Sequence, residues 1–482
     1  MRTIAALIAV CAASLLVWLL SAAAVADGAP SPPLSERPRD NWQFKFDQFV
    51  IGAWWGPDAT DAEIKAYAEC GFNVVMGGRY MELDRYGDPE AAQRELDLAA
   101  RYGLGMMFDT YTMNDRPWGG SEGPFDEHPT HHPANLTELK WLYQRIGKHP
   151  ALVGFMIGDD QGAVSERARD CTQFLFEQGP PHLMPWLCGW ISPENLAASN
   201  NPFEDPQIYP TLYQWDLPAE GHTQAYAAAY WGFSRGCQAN GVIFWPMFNV
   251  SAWVAPDRHD QWACCPSDSL VRFPAYAALA YGAEGIWYFC YNGSSIQNQG
   301  PHQTDEEVRA ALSPLYPVAQ RINHRIAAWG PMLLGRTSTG LFGTAFDLGK
   351  SAPSPSPTEQ TQGPTAEGLT APSEGKLIAG MDDDLIVGIL TKAGEAPLAM
   401  VVNCSASKGF DDVEPRTVSI TFSDAVRRAI VHELGATTET RGSTIRLTLD
   451  AGEGQLLELR GYGLDALCAT EAIYAEAGAE NR

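Results

Sequence analysis

Four times the sequence passes from a helical stretch through a glycine into a short apolar run. These passages are Ala68-Glu69-Cys70-Gly71 before Phe72, Ala100-Arg101-Tyr102-Gly103 before Leu104, Gln238-Ala239-Asn240-Gly241 before Val242, and Ala280-Tyr281-Gly282 before the run that opens at Gly285. Glycine just past a helix end takes the left-handed conformation that turns the chain back. Helices that repeatedly feed short apolar runs specify an α/β fold with a parallel sheet. The runs fall at residues 49–55, 72–76, 104–109, 152–158, 184–190, 207–212, 242–248 and 285–290. Eight strands over this span match a (β/α)8 barrel. A doubly wound sheet is the competing fold, and it would carry a glycine-rich phosphate turn after its first strand. Here the first strand ends in Trp54-Trp55-Gly56-Pro57. Thr60-x-x-Glu63 and Thr304-x-x-Glu307 read as capping boxes, the second opening a long helix over 304–329 that closes the barrel.

Beyond Gly335 the texture changes to short, often alternating segments at 385–390, 398–402, 417–422, 429–433, 444–449 and 454–459, with a first strand expected near 339–344. Such segments form an antiparallel β-domain. The chain is therefore expected to be a (β/α)8 TIM barrel over 45–335 followed by a small antiparallel β-sandwich over 336–462. A Ser/Pro/Thr-rich insertion at 351–375 interrupts the sandwich, and a tail follows at 463–482. Asp382-Asp383-Asp384 reads as a solvated turn.

At the other end, Arg2, the apolar run from Ile4 to Leu20 and the Ala24-Val25-Ala26 site have the form of a secretory signal peptide over 1–26. A polar lead-in at 27–44 is expected to be disordered. Cleavage would leave a secreted or extracytoplasmic protein without a membrane partner; an uncleaved anchor is the alternative. Of ten cysteines, Cys11 lies in the leader, and the remaining nine show no C-x-x-C pattern. Structural thiols or one loop disulfide are expected.

Asp and Glu number 58 against 33 Lys and Arg, a net charge of −25. A phosphate backbone would be repelled, so no nucleic-acid partner is expected. Sulfated polymers and anionic membranes are poor candidates likewise unless a local basic patch exists, and no run of basic residues marks one.

In a (β/α)8 barrel, functional residues sit at the C-terminal ends of the strands. The polar and aromatic residues there are Trp54 and Trp55, Arg79, Asp109 and Tyr111, Asp159 and Asp160, Trp190, Tyr213 and Asp216, Asn249, and Tyr291 with Asn292. Carboxylates, aromatic faces and an arginine converging on one mouth suit a saccharide, with one carboxyl protonated and another ionised. Successive strand residues point oppositely, so Trp54 and Trp55 cannot both face the mouth. Glu284 precedes its strand and faces the opposite end. His128, His131 and His132 share the long loop after strand three; their spacing is not helical and a proline interrupts it, so a lid loop is expected rather than a metal site. No metal or cofactor is expected.

The segment His149-Pro150-Ala151-Leu152-Val153-Gly154-Phe155-Met156-Ile157-Gly158-Asp159-Asp160 resembles strand four of clan A glycoside hydrolases and their bacterial relatives. The stretch from Arg272 to Tyr291 is similar to the last helix–strand unit of the same group, near the family 42 β-galactosidases. The resemblance covers about residues 45–335. It implies that Asp160 stands at the position of the acid/base glutamate, one methylene shorter. It also implies a nucleophilic glutamate at the end of strand seven, where this chain has Asn249. An amide cannot form a glycosyl ester, so the resemblance leaves three readings. One is an inverting hydrolase using Asp160 with Asp109 or Asp216; the second is a catalytically inactive carbohydrate-binding barrel serving as a surface or scaffold protein. The third, remote, is a metal-dependent hydrolase built on the histidine loop.

The composition of 351–375 cannot bury apolar surface. Limited proteolysis is expected to cut there first, and deleting the segment should leave the melting temperature nearly unchanged. A loss of many degrees would show instead that the segment is docked.

Overall fold

The computed structural model describes residues 48–77, 89–109, 136–179, 183–189, 191–199, 201, 203–210, 218–251, 267–293, 295–298, 300–344, 377–407, 414–464 and 468. The proposed leader and lead-in, the 351–375 insertion and the histidine loop lie outside these residues, as do two of the nine cysteines beyond the leader, Cys264 and Cys265.

Nine parallel segments close a barrel. They are β1 (Val50–Ala53), β2 (Val74–Gly77), β3 (Gly105–Asp109), β4 (Leu152–Gln161), β5 (Met184–Gly189), β6 (Phe203–Ile208), β7 (Ile243–Phe244), β8 (Met247–Asn249) and β9 (Gly285–Phe289). Successive strands pair around the ring, β6 with both β7 and β8, β8 with β9, and β1 closes on β9 with Val50 opposite Gly285. β7 and β8 are two pieces of the seventh barrel strand, expected as one run over 242–248. Pro246 has no N–H to donate and breaks it, while its carbonyl still accepts from Trp287 N at 3.0 Å. Around the barrel lie α1 (Asp61–Glu69), α2 (Pro89–Arg101), α3 (Leu136–Ile146), α4 (Glu166–Gln178), α5 (Pro193–Ala198), α6 (Ala219–Asn240), α7 (Asp268–Ala280), α8 (Asp305–Ala311) and α9 (Leu315–Leu333). The four glycines that end helical stretches have φ of +86°, +71°, +66° and +86° at Gly71, Gly103, Gly241 and Gly282.

The single helix expected over 304–329 is two, α8 and α9. Pro314 restricts Ser313 and cannot donate to the preceding turn, and Leu312 is extended at φ −67°, ψ 134°. The Thr304–Glu307 capping box is complete. At Thr60 only half of one forms: Thr60 Oγ1 accepts from Glu63 N at 3.2 Å. The Glu63 carboxylate goes elsewhere, accepting from Asp58 N at 2.6 Å and His302 N at 2.7 Å.

Side chains fill the barrel interior, as a closed sheet of this size requires. Val50, Met76, Met107, Met156, Met184, Trp186, Met247 and Trp287 form one buried cluster. Glycines face the largest of these. A Cβ on Gly52 would lie 2.4 Å from the Trp287 ring, and one on Gly285 would lie 2.8 Å from Trp245. Trp186 stacks on Trp287 at 4.4 Å, and Phe203 on Trp245 at 4.5 Å.

The second domain is an antiparallel sandwich. One sheet runs β10 (Thr337–Gly343), β12 (Leu385–Thr391), β13 (Leu398–Asn403), β18 (Gly454–Gly461), β15 (Val426–Glu433), β16 (Ala436–Arg441). The other runs β11 (Ile378–Met381), β14 (Arg416–Phe422), β17 (Thr444–Leu449). β11 and β16 were not expected; β16 has no buried residue, so it carries no hydrophobic alternation to read. The Asp382–Asp384 turn holds Asp384 at φ +56°, and Asp382 Oδ2 accepts from Ser419 N at 2.7 Å. Seven cysteines among the described residues are buried.

The larger sheet docks on α7, whose residues from Ser269 to Ala280 are all buried. Arg272 Nε donates to Ala451 O at 2.9 Å, and Trp329 Nε1 to His432 O at 3.0 Å. Glu284 is at this end too, accepting from Gly335 N at 3.1 Å, away from the barrel mouth. The contact is close at Gly388, where a Cβ would lie 2.0 Å from the backbone oxygen of Ala280, whereas one on Gly380 would meet nothing within 4 Å. Gly388→Ala is expected to cost about 1–3 kcal/mol by forcing the sheet off α7. Gly380→Ala should change thermal stability little. Equal melting temperatures for the two variants would show that the docking yields freely.

Candidate active site

At the end of β1 the chain takes a left-handed step. Trp55 has φ +46°, a conformation bulky residues seldom adopt and one held only where the surroundings determine it. The surroundings here are backbone. Trp54 N donates to Tyr288 O at 2.8 Å, Tyr291 N to Trp54 O at 3.0 Å and Asn292 N to Trp55 O at 3.1 Å. The step separates the two tryptophans. Trp54 is 5% exposed and belongs to the interior cluster, edge-on to Trp186 at 5.5 Å. Trp55 is 38% exposed, its ring 5.8 Å from Phe289, which lies 4.7 Å from Tyr209. The mouth thus carries an aromatic run drawn from the ends of strands one, eight and six.

Asp109 ends β3 and is 4% exposed. Met107, two residues earlier, belongs to the interior cluster, so strand alternation turns Asp109 inward at the mouth. β4 extends through Asp159 and Asp160 to Gln161, with register shifts between Met156 and Gly158 and again between Gly158 and Gln161. The backbone puts both aspartates at the C-terminal end of the barrel; their side chains are not among the described residues. Arg79, Tyr111, Trp190, Tyr213 and Asp216 lie outside the described residues altogether.

Asn249 ends β8 opposite Phe289 and is fully buried. Its Oδ1 accepts from Ser251 N at 3.1 Å and Ser251 Oγ at 2.7 Å, while Nδ2 donates to Ser251 O at 3.3 Å. Its own N–H donates to Tyr226 OH at 3.3 Å.

Tyr291 and Asn292 correct the sequence expectation of ligand contact. Tyr291 is fully buried in the layer between strands and helices, its ring 4.8 Å from Tyr67 and 5.7 Å from Phe72. The chain has left the barrel wall after Phe289, and the outward turn takes this side chain away from the mouth. Asn292 is also fully buried, its Oδ1 accepting from Gly293 N at 2.9 Å, and it pairs with Gln297 inside the loop after β9.

Sequence reasoning missed Phe289, Tyr209, Gln207 and Asp205. The sixth strand was expected at 207–212 and runs Phe203–Ile208. Pro206 hid it, because a proline ordinarily demotes a run to an edge or a loop. The readable signal was alternation, with Phe203, Asp205, Gln207 and Tyr209 on one face. Gln207 Nε2 donates to Cys188 Sγ at 3.4 Å, Tyr209 OH to Met247 Sδ at 2.9 Å, and Asp205 is 1% exposed. Among the described residues no group of three or more His, Cys, Asp or Glu is arranged to hold a metal ion. Nor, among them, is any helix long and apolar enough to cross a membrane.

The loop after β9 is latched to the start of α1. Glu63, wholly buried, meets His302 Nδ1 at 2.8 Å as well as the two backbone donors already described. Burial pushes its carboxyl above the usual range against the pull of these donors.

No protein-family model matches the sequence, and no curated protein matches it. Solved structures do. A GH42 β-galactosidase from G. stearothermophilus, determined as a catalytic mutant, is similar with a TM-score of 0.56 at 9% identity, covering 86% of this chain and 99% of that one. A glycoside hydrolase family 5 protein from Bacteroides vulgatus gives 0.48 at 13% identity, covering 86% and 89%. At these identities the likeness is one of fold: this chain has a glycoside-hydrolase-like barrel.

Glu63→Gln would turn an NH2 group toward a backbone donor whichever way the amide sits. A buried donor facing a donor costs about 1–3 kcal/mol, so this variant is expected to melt at lower temperature. An unchanged melting temperature would show that the latch contributes nothing.

Proposed function

We propose that the protein is exported and binds a neutral saccharide at the C-terminal mouth of its barrel, cleaving a glycosidic bond there. The observation that carries this reading is the Trp55–Phe289–Tyr209 aromatic run beside the inward-turned Asp109, on a glycoside-hydrolase-like barrel. Aromatic faces take the apolar faces of sugar rings, and carboxylates at the same mouth bind hydroxyls or move protons. The net charge of −25 favours an uncharged sugar at this end.

In this reading Asp160 is the general acid that protonates the leaving oxygen. Asp109 or Asp216 is the base that activates water, and the product forms with inversion. Such a pair needs its carboxyl groups roughly 6.5–9.5 Å apart, with room for a water between. Asp159, Arg79, Tyr111, Trp190 and Tyr213 complete the proposed binding surface with Trp55, while Asn249 shapes the wall. A second reading, a binding barrel without catalysis, is favoured by one observation: strand seven ends in an amide whose polar atoms are engaged by Ser251.

Turnover and binding separate the two readings. Asp160→Asn is expected to abolish hydrolysis across a neutral saccharide panel while leaving binding within a few-fold. Trp55→Ala should weaken binding by about tenfold, roughly 1.4 kcal/mol. Proton NMR of the freshly released anomer should show inversion; retention would sink the two-carboxylate mechanism. Binding with no turnover on any substrate would establish the non-catalytic reading.

A further inference from the structure

We propose that the sandwich carries a second saccharide site, separate from the barrel mouth, for a polymer bearing carboxylate groups. The pairing register assembles it. Arg428 on β15 lies directly opposite Arg441 on β16 and directly opposite Arg460 on β18. Residues directly opposite in an antiparallel pair share a face, so three guanidinium side chains form one row across three strands. Two inter-strand spacings give the row a width of about 10 Å. No run of basic residues announces it, because the three arginines come from three strands.

Like charges placed opposite one another destabilise a sheet, and this row is only partly compensated. Among the described residues Glu439 is the one carboxylate paired with two of its members, 3.1 Å from Arg428 Nη1 and 3.6 Å from Arg441 Nε. Glu458 pairs with Arg460 and also stands 3.4 Å from His432 Nε2. Among the described residues three guanidiniums therefore share two carboxylates, in a chain of net charge −25. The Arg441 side chain is 90% exposed and those of Arg428 and Arg460 about half, so most of their N–H donors face solvent. Two residues beyond Arg460, Tyr462 is 82% exposed, the most exposed large hydrophobic side chain described.

The combination selects its ligand. A guanidinium fork matches a carboxylate bidentately, and an exposed tyrosine ring offers a face to a sugar. The net surplus of one positive charge suits a polymer with one charge per sugar. Nucleic acid is held by many phosphate contacts at once, more than a row of three arginines supplies. The row also sits usefully. Leu456, four residues before Arg460 on the same face of β18, packs in the core shared with the barrel. The arginines follow about 13 Å further along the strand, on the face by which this sheet meets the barrel. A polymer held there is tethered to the same molecule as the barrel mouth, which raises the effective concentration of its uncharged segments. The choice of a sugar polymer rests on the saccharide reading of the barrel; the arginine row itself does not.

The test uses the full chain and two probes with one backbone: polygalacturonate and its fully methyl-esterified form, which has lost the charge. Titration calorimetry is expected to show polygalacturonate binding that weakens as salt rises to about 150 mM, with the ester at least tenfold weaker. The double variant Arg441→Ala with Arg460→Ala should lose at least tenfold in polygalacturonate affinity. Its binding of neutral saccharides should match wild type and its melting temperature should fall by no more than a few degrees, because the Arg441 side chain is solvated and that of Arg460 half so. Absence of polygalacturonate binding, equal binding of the ester, or undiminished binding by the double variant each overturns the proposal. So does equally tight binding of a DNA oligonucleotide, which would make the row a general anion site. A concentration-dependent dimer abolished by the double variant, without polymer binding, would reassign the row to self-association. Failure of neutral saccharides to bind while polygalacturonate does would instead count against the barrel reading alone.

Discussion

The seam between the first and last barrel strands is the contact on which the architecture turns. β1 and β9 pair in register from Val50 opposite Gly285 to Ala53 opposite Tyr288. The hydrogen bonding then runs past the ends of both strands through Trp54, Trp55, Tyr291 and Asn292. That extension closes the barrel and pays for the left-handed step at Trp55. With the carbonyls of both tryptophans committed across the seam, one indole is driven into the interior and its neighbour out over Phe289. The mouth's aromatic run is thus a product of barrel closure rather than of a loop free to adopt other shapes.

Below the mouth, buried side chains fill the interior. Tryptophans occupy it because glycines stand opposite them, and a methyl group at Gly52 or Gly285 would already collide. The filling favours volume: among the described residues the buried indole N–H groups of Trp186 and Trp287 have no hydrogen-bond partner. Met76, Met107, Met156, Met184 and Met247 take up the irregular space that remains, as flexible thioethers do. The sandwich covers α7 at the side of the barrel, and the strand termini around Trp55 and Asp109 lie beyond this filling.

Periodicity made the barrel legible, and what escaped reading was interrupted or assembled. The helix–glycine–strand passages fixed the strand order because each glycine's positive φ is a local property of the chain. Strand six was misplaced because Pro206 masks an alternation that tertiary pairing tolerates, and the 304–329 helix was read through Pro314. Tyr291 was assigned to the mouth by counting from the strand end, but the chain turns outward after Phe289 and counting no longer gives direction. The register of β15 with two partners, which lines up Arg428, Arg441 and Arg460, is a long-range fact that no single stretch of sequence contains. The site is legible to the same extent: positions at strand ends are readable, whereas the face each side chain takes depends on where its strand stops.

Position 249 shows how far a missing residue type can be interpreted. Read as a departure from the clan A pattern, Asn249 is an amide where a nucleophile would stand. Its surroundings suit an amide specifically. One end accepts from the Ser251 N–H and hydroxyl, and the other donates to the Ser251 carbonyl. A carboxylate of the same length would keep the first two bonds and set an oxygen against that carbonyl. It would also bury a charge at a fully enclosed position, where ionisation is strongly penalised. The turn after strand seven is therefore built around a donor, and restoring an acid there would cost stability before it supplied a nucleophile. Any hydrolytic chemistry on this barrel has to be carried by carboxylates on other strands, which is why the proposed mechanism uses two of them and a water rather than a covalent intermediate.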